Sequence, residues 1–200
     1  MYPFDHVRRY IFTVASLVFV VTGCQTTMTS SSAGESASPD APSMFPLKFN
    51  EHAFAAHCYN TLRCRVIYSN FDFNRSNADK PSPSPPPGDY WQHWPYASYA
   101  GIRNFPPAAE VQWTSLDGVA HEAKVDMGTI FQDERVLYRV PDTEIPDQSW
   151  GGSPGIFLEV NDRTINVYMQ AIISTKNEQI PGNKYSNYRD DVILAWSHTY

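Results

Sequence analysis

The sequence predicts an all-β fold, an antiparallel β-sandwich of about seven strands with short helical turns. Apolar and polar residues alternate with a period of two in several segments, as in strands that bury one face. Two pairs of these segments flank sequences typical of tight turns. The 200 residues include 16 prolines and 10 glycines, and no segment has the pattern of a long amphipathic helix.

The composition is that of a folded, mildly acidic protein. Apolar residues make up 42% of the chain, and 15 basic residues are set against 21 acidic ones, giving a formal net charge of -6. Proteins that bind nucleic acid need a basic surface to neutralise phosphates. The charge balance therefore argues against a nucleic-acid partner.

The first 23 residues are predicted to be a lipoprotein signal peptide. Two arginines precede an apolar run over residues 10–21, which is shorter than the roughly 20 residues of a membrane span. The run ends in Val21-Thr22-Gly23-Cys24, which resembles the lipobox of bacterial lipoproteins, where the cysteine receives the lipid. An ordinary signal peptide with a chance cysteine is the alternative. Lipidation of Cys24, with Gln25 rather than Asp after it, implies the outer membrane and a position facing the periplasm.

Cleavage before Cys24 would remove two of the 15 basic residues and one of the 21 acidic residues, leaving a formal charge of -7. Residues 24–43 are rich in Ser, Thr, Ala and Pro and are predicted to form a flexible tether. The globular domain is predicted to span residues 44–200, and about 155 residues suffice for one hydrophobic core.

Seven segments of the domain are predicted to be strands: 45–57, 63–73, 110–115, 119–127, 155–160, 164–174 and 191–197. Leu116-Asp117-Gly118 separates the third from the fourth, and an Asp-Gly pair between alternating runs is a strong indication of a hairpin. Asn161-Asp162-Arg163 separates the fifth from the sixth in the same way. Short helical turns are predicted at 128–134 and 142–145.

A long insert over residues 74–107 interrupts the strands. It begins with a proline-rich run at 81–88 and continues with the aromatic residues Tyr90, Trp91, His93, Trp94, Tyr96 and Tyr99. Loops of this length are uncommon in compact domains and are often functional. The aromatic residues either pack onto the sheet as a satellite core or form an exposed platform for a protein partner. In the second case Tyr90, Trp91 and Trp94 are the candidate contacts.

The two remaining cysteines, Cys58 and Cys64, are separated by five residues at a turn between predicted strands. In an oxidising compartment such a pair is predicted to form a disulfide, with two buried free thiols as the alternative. A metal site built from His52, His57 and Cys58 is a weaker alternative, because the usual ligand spacings are missing. No metal or other cofactor is predicted.

Catalytic motifs are not evident in the sequence. It has no Gly-x-Ser-x-Gly nucleophile elbow, no His-Glu-x-x-His and no phosphate-binding glycine loop. The run at 151–155 approximates an elbow, but Pro154 and the lack of a helical pattern after it disfavour that interpretation. Asp190 and Asp191 are adjacent, so on a strand they would point to opposite faces. The chain is therefore predicted not to be an enzyme.

Two blocks in the second half resemble blocks in small proteobacterial lipoproteins. The first is Asn104-Phe105-Pro106-Pro107-Ala108-Ala109-Glu110-Val111-Gln112-Trp113, followed by Asp117-Gly118. The second is Ile180-Pro181-Gly182-Asn183-Lys184-Tyr185-Ser186-Asn187-Tyr188-Arg189-Asp190-Asp191, and the chain closes on Ser197-His198-Thr199-Tyr200. The resemblance covers residues 60–200 and is to periplasmic immunity lipoproteins, which are often encoded beside type VI secretion toxins that include antibacterial phospholipases. The proline-rich run at 81–87 departs from the pattern.

The resemblance implies a lipid-anchored protein that binds and occludes a cognate secreted toxin, with a phospholipase as the preferred target. Besides the insert aromatics, a second candidate contact patch comprises Asp142, Glu144, Asp147 and Trp150. An acidic surface suits a basic partner. A generic outer-membrane lipoprotein with an envelope adaptor or structural role is one rival hypothesis. The other is a small periplasmic enzyme or ligand carrier, which would need a concave pocket with convergent polar groups.

Overall fold

A computed structural model describes residues 43–147 and 149–200. The predicted signal peptide, the lipidated Cys24 and the tether up to residue 42 lie outside the described residues. Within the described ranges, no helix is long and apolar enough to cross a membrane.

The described residues are mostly strands, as the sequence predicts. The strands are β1 (Glu51–Tyr59), β2 (Thr61–Tyr68), β3 (Phe71–Asp72), β4 (Tyr99–Arg103), β5 (Ala109–Ser115), β6 (Ala120–Val125), β7 (Gly155–Asn161), β8 (Thr164–Gln170), β9 (Ile173–Ser174), β10 (Tyr188–Arg189) and β11 (Val192–Thr199). The α-helical turn α1 (Met127–Ile130) and the 3-10 turn Asp142–Glu144 lie within the two predicted helical segments or one residue outside them. A further 3-10 turn, Tyr90–His93, lies in the insert.

Two large sheets form the sandwich. One has the strand order β11-β8-β7-β1-β4 and the other β3-β2-β5-β6, while β9 and β10 form a short two-stranded ribbon. The all-β sandwich is therefore confirmed. Its pairs are antiparallel except for β1 and β7, which run parallel from Ala53 opposite Gly155 to Tyr59 opposite Asn161. Parallel neighbours need a long crossover connection, and here the chain between β1 and β7 builds the whole second sheet.

Turn residues in left-handed backbone conformations delimit several strands. Gly118 has a φ of 82° in the β5–β6 hairpin, and Asp162 has a φ of 51° in the β7–β8 hairpin. Both hairpins were predicted from their turn sequences and are confirmed. The segment predicted as one strand over 63–73 is divided into β2 and β3 because Ser69 and Asn70 turn the chain with positive φ.

The main hydrophobic core lies between the two large sheets. Alternate residues of facing strands fill it, including Leu158 and Val160 of β7 and Val111 and Trp113 of β5. Burying one such side chain, relative to leaving it exposed, contributes about 1.5–3 kcal/mol to the free energy of unfolding. Cys58 of β1 and the fully buried Cys64 of β2 form a disulfide between the two sheets, which is the predicted pairing.

A second apolar cluster covers the outer face of the five-stranded sheet. Trp94 of the insert is only 8% exposed and packs on Phe157 and Tyr168, each with a ring-centroid distance of 5.4 Å. The insert then continues into β4, which pairs with β1 and was not predicted. Strand β7 is consequently buried on both faces.

Candidate binding surface

The three insert aromatics proposed as partner contacts pack against the sheet. The Tyr90 hydroxyl donates to the Glu159 carboxylate, and the half-buried Trp91 stacks on Tyr168. The indole N–H of Trp94 donates to the Tyr59 hydroxyl at 3.2 Å. Of the two alternatives for the insert aromatics, a satellite core or an exposed platform, the structure therefore contains the satellite core. Trp94 is enclosed within it, and Tyr90 and Trp91 expose only part of their rings.

A fully buried carboxylate, that of Glu159, lies beneath the insert. Its Oε2 accepts hydrogen bonds from Asn166 Nδ2 at 2.9 Å and from the Tyr168 hydroxyl at 3.2 Å. Burial, and then the Glu159 charge and hydrogen bond, raise the pKa of Tyr168 well above its usual value. A buried charge needs several hydrogen bonds to offset its lost hydration, and these donors link the insert, β7 and β8.

The two histidines of β1 face opposite sides of the five-stranded sheet. His52 is fully buried in the main core, where Nδ1 lies 2.9 Å from Asn104 Oδ1 and Nε2 lies 3.1 Å from the Tyr68 hydroxyl. His57 stacks on Trp94 at 4.3 Å on the outer face. Since Cys58 is part of a disulfide, the alternative metal site of His52, His57 and Cys58 does not form.

One cluster of Ser, His and Asp resembles a catalytic triad in composition only. The hydroxyl of Ser115 lies 3.0 Å from His121 Nε2 and contacts the Asp117 carboxylate. In a triad the carboxylate orients the imidazole and the serine is accessible, whereas here Asp117 contacts the serine and Ser115 is fully buried. Hydrogen bonds from Ser115 and the Val119 N–H hold the pKa of Asp117 below its usual value. The cluster therefore fastens the β5–β6 turn.

The second predicted patch is divided by the structure. Asp142, Glu144 and Asp147 are exposed at the 3-10 turn and just after it. Trp150 is half-buried and donates its indole N–H to the Lys48 carbonyl at 2.7 Å, so it packs the turn segment onto the domain. The Tyr138 hydroxyl donates to Asp142 at 2.7 Å. Burial and this carboxylate raise the pKa of Tyr138 to about 12.

The loop between β9 and β10, residues 175–187, lies against this acidic turn, and we call it the tail loop. The Lys176 backbone N–H donates to the Glu144 carbonyl at 2.8 Å. The Lys176 ammonium donates to the Thr143 carbonyl, also at 2.8 Å. The structure thus joins one predicted contact patch to the tail loop, whose residues 180–187 belong to the second resemblance block.

The tail loop is closed by hydrogen bonds around the buried Ser186. The Ser186 hydroxyl accepts from the Ile180 N–H at 2.9 Å and donates to the Asn183 carbonyl at 2.7 Å. The Ser186 carbonyl accepts from the Gln179 N–H at 2.9 Å. These bonds order the backbone of the loop before any partner binds.

Large apolar side chains project from this ordered loop into solvent. Ile180 is 59% exposed, Tyr185 is 74% exposed and Tyr188, in β10, is 42% exposed. We call these three residues, with Asp142 and Glu144, the tail-loop surface. The sequence analysis did not select Ile180, Tyr185 and Tyr188, because the loop has no hydrophobic periodicity. The feature that could have indicated them is an aliphatic and two aromatic residues in a segment rich in Gly, Pro, Asn and Ser.

No family model, curated protein or solved structure matches this chain. The tail-loop surface is therefore assigned from its own geometry.

An open polar groove of about 680 Å³ lies on the outer face of the four-stranded sheet. Arg63 and Arg65 of β2 line it, and each forms an ion pair with another residue of the groove, with Asp79 and Asp72 respectively. These exposed pairs contribute little to stability, and they leave both guanidinium groups already neutralised. The groove is a weaker candidate than the tail-loop surface.

Replacing Ser186 by alanine is expected to loosen the tail loop and to lower the free energy of unfolding by about 1–2 kcal/mol, because the Ile180 N–H loses its acceptor and the Asn183 carbonyl keeps only the Ser186 backbone N–H as a donor. Hydrogen exchange of the Ile180 amide should accelerate at least tenfold. Ser76→Ala, at an exposed serine of the insert, is the matched control. Unchanged exchange in Ser186→Ala would show that the hydroxyl does not order the loop.

Proposed function

We propose that this chain is a lipid-anchored periplasmic inhibitor that binds and occludes a toxin delivered by type VI secretion, preferably an antibacterial phospholipase. The observation that supports it most is the tail-loop surface. An ordered loop exposes Ile180 and Tyr185, and Tyr188 follows in β10. All three residues belong to the sequence block 180–191 that resembles immunity lipoproteins.

The shape and chemistry of this surface suit a protein partner with a concave site. Tyrosine is enriched among the residues that dominate binding energy, and Tyr185 is the most exposed large apolar residue described. Because Ser186 orders the loop beforehand, binding loses less conformational entropy than binding by a flexible loop. A projecting loop of this kind would enter a toxin's active-site mouth and exclude its substrate.

The net charge of the chain favours a basic partner. Asp142 and Glu144 lie at the turn that the tail loop contacts, where Lys176 and Lys184 of the loop balance them, and the whole chain has a net charge of -6. Opposite charges on a toxin would accelerate association and orient the encounter. The rate of association should accordingly fall as the salt concentration rises.

A lipid at Cys24 would place the inhibitor where a phospholipase acts. Tethering holds the inhibitor at a membrane surface and raises its effective concentration there. A toxin that must reach membrane phospholipid would meet the inhibitor before or at its substrate.

The test is to combine the chain with the product of the gene beside its own, which the proposal expects to be a toxin. The wild-type chain is expected to form a tight complex, measured by calorimetry, and to restore growth of cells that express the toxin in the periplasm. The double variant Ile180→Ala/Tyr185→Ala should bind 10–100-fold more weakly. Leu116→Ala removes a side chain 58% exposed at the β5–β6 turn, which contacts Asp162 of the β7–β8 turn, and should bind like the wild type.

Two results would contradict the proposal. A wild-type chain that neither binds the toxin nor protects cells would exclude inhibition and favour the envelope adaptor role. Equal weakening by Leu116→Ala and the tail-loop double variant would exclude the tail loop as the contact surface.

A further inference from the structure

Strand β11 is the least protected edge among the described strands. Its eight residues pair with β8 on one side only and include no Asp, Glu, Lys or Arg. The other outer strands are shielded: β4 contains Gly101 with positive φ, β6 carries Glu122 and Lys124, and β3 has only two residues. Natural proteins protect edges by such devices, because an open edge pairs with other strands.

The register fixes which backbone groups of β11 face the open edge. The Tyr200 N–H donates to the Arg163 carbonyl on the β8 side, so the groups of Thr199 point away from β8. Because the backbone groups of successive strand residues point to opposite sides, those of Ser197, two residues before Thr199, also face the open edge. On the other side of the bulge between Leu194 and Trp196, Leu194 also points outward.

Gln92 of the insert already satisfies the first outward position. Its side-chain Nε2 donates to the Val192 carbonyl at 3.1 Å, and its Oε1 accepts from the Val192 N–H at 3.4 Å. The Gln92 amide thus makes the two hydrogen bonds that a neighbouring strand would make to Val192, and it does not extend to Leu194. The remaining outward groups, from Leu194 to Thr199, are left to solvent or to a partner.

The side chains beside this edge suit an extended polypeptide. Leu194 is 52% exposed and lies opposite Tyr168, which stacks on Trp91. An added strand would place alternate side chains against this apolar outer face, as in β-strand addition, where backbone bonds give affinity and side-chain contacts give specificity.

We infer that an extended segment of the bound toxin adds to β11 as a sixth strand of the sheet, so this inference rests on the proposed function. Because β11 carries no charged residue and Asp190 precedes it, we expect the toxin segment to be uncharged where it lies along β11 and basic at the end that reaches Asp190. Asp191 is paired with Arg189 at 2.7 Å, whereas Asp190 accepts from the Tyr96 hydroxyl at 2.6 Å and has no cationic partner among the described residues.

The bulge in β11 disfavours a second copy of this chain as the occupant. Across a two-fold axis each copy would present its own bulge between Leu194 and Trp196 to the other. A continuous ladder would then be confined to the few residues beyond the bulge, since bulges interrupt pairing. A foreign strand has no such symmetry constraint.

The experiment uses proline to remove outward N–H groups without breaking bonds to β8. Proline is tolerated on an edge when its nitrogen faces solvent. Leu194→Pro and Thr199→Pro should each bind the neighbouring-gene toxin at least tenfold more weakly than the matched controls Leu194→Ala and Thr199→Val, which change the side chain but keep the N–H. In the wild-type complex, hydrogen exchange of the Leu194, Ser197 and Thr199 amides should slow at least tenfold.

The outcomes separate the two proposals. If the wild-type chain binds but the proline variants bind equally well and the three amides stay unprotected, the edge inference is wrong and the inhibitor proposal stands. If the wild-type chain does not bind, the inhibitor proposal fails and the edge inference with it. The exchange measurement on the wild-type complex decides the matter even if a proline variant does not fold. Self-association of the free chain that both prolines abolish would assign the edge to a second copy instead.

Discussion

Replacing Trp94 by alanine is expected to lower the free energy of unfolding by about 3–5 kcal/mol, the usual cost of deleting a buried tryptophan. The indole packs on Phe157 and Tyr168, stacks on His57 and donates to the Tyr59 hydroxyl. Truncation removes all of these contacts and leaves a cavity between the insert and the five-stranded sheet. Urea denaturation followed by far-UV circular dichroism measures the change.

The exposed rim of the same cluster provides the comparison. Trp91 is half-buried, so Trp91→Ala should cost no more than about 1.5 kcal/mol, given the smaller area it buries. Trp94→Phe, which keeps an aromatic ring but loses the bond to Tyr59, should fall between the two. A loss under 1 kcal/mol for Trp94→Ala, together with weakened toxin binding, would instead favour the exposed platform.

Local sequence patterns were sufficient to predict the strands and the two hairpins, because these elements are determined by residues close together in the sequence. The Asp-Gly turn at 117–118 and the turn around Asp162 both need positive φ, and each produced the predicted hairpin. The parallel pairing of β1 with β7 joins segments about a hundred residues apart. No local pattern specifies such a register, so the expected antiparallel order was wrong at this pair.

The candidate site was harder to predict for the same physical reason. The charges of Asp142 and Glu144 indicated an exposed patch, but its neighbour, the tail loop, is ordered by Ser186 through bonds that depend on the folded backbone. Tyr185 and Trp94 belong to the same class of residue, yet one is 74% exposed and the other 8%. Only the packing of the insert onto β7 distinguishes them. One local pattern did indicate that the insert covers β7. Residues 155–160 form an almost continuous apolar run, which is typical of strands buried on both faces.

The stability of the protein is expected to fall between pH 6.5 and pH 4, mainly because of His57. Burial lowers the pKa of His57 from 6.5 to about 4, and its Nε2 has no hydrogen-bond partner among the described residues. Between those two pKa values the unfolded chain binds the proton and the folded chain does not, so acid favours unfolding. The loss should amount to about 2–3 kcal/mol across this window.

His57→Phe tests this assignment, because phenylalanine keeps an aromatic ring stacked on Trp94 and cannot take up a proton. The variant should lose most of the dependence of its unfolding free energy on pH between 6.5 and 4, measured by urea denaturation at several pH values. A smaller slope of the same sign should remain, since burial also lowers the pKa of His52. An identical slope in wild type and variant would show that His57 binds its proton equally well in the folded and the unfolded chain, so that burial of this ring is not the cause of the pH dependence.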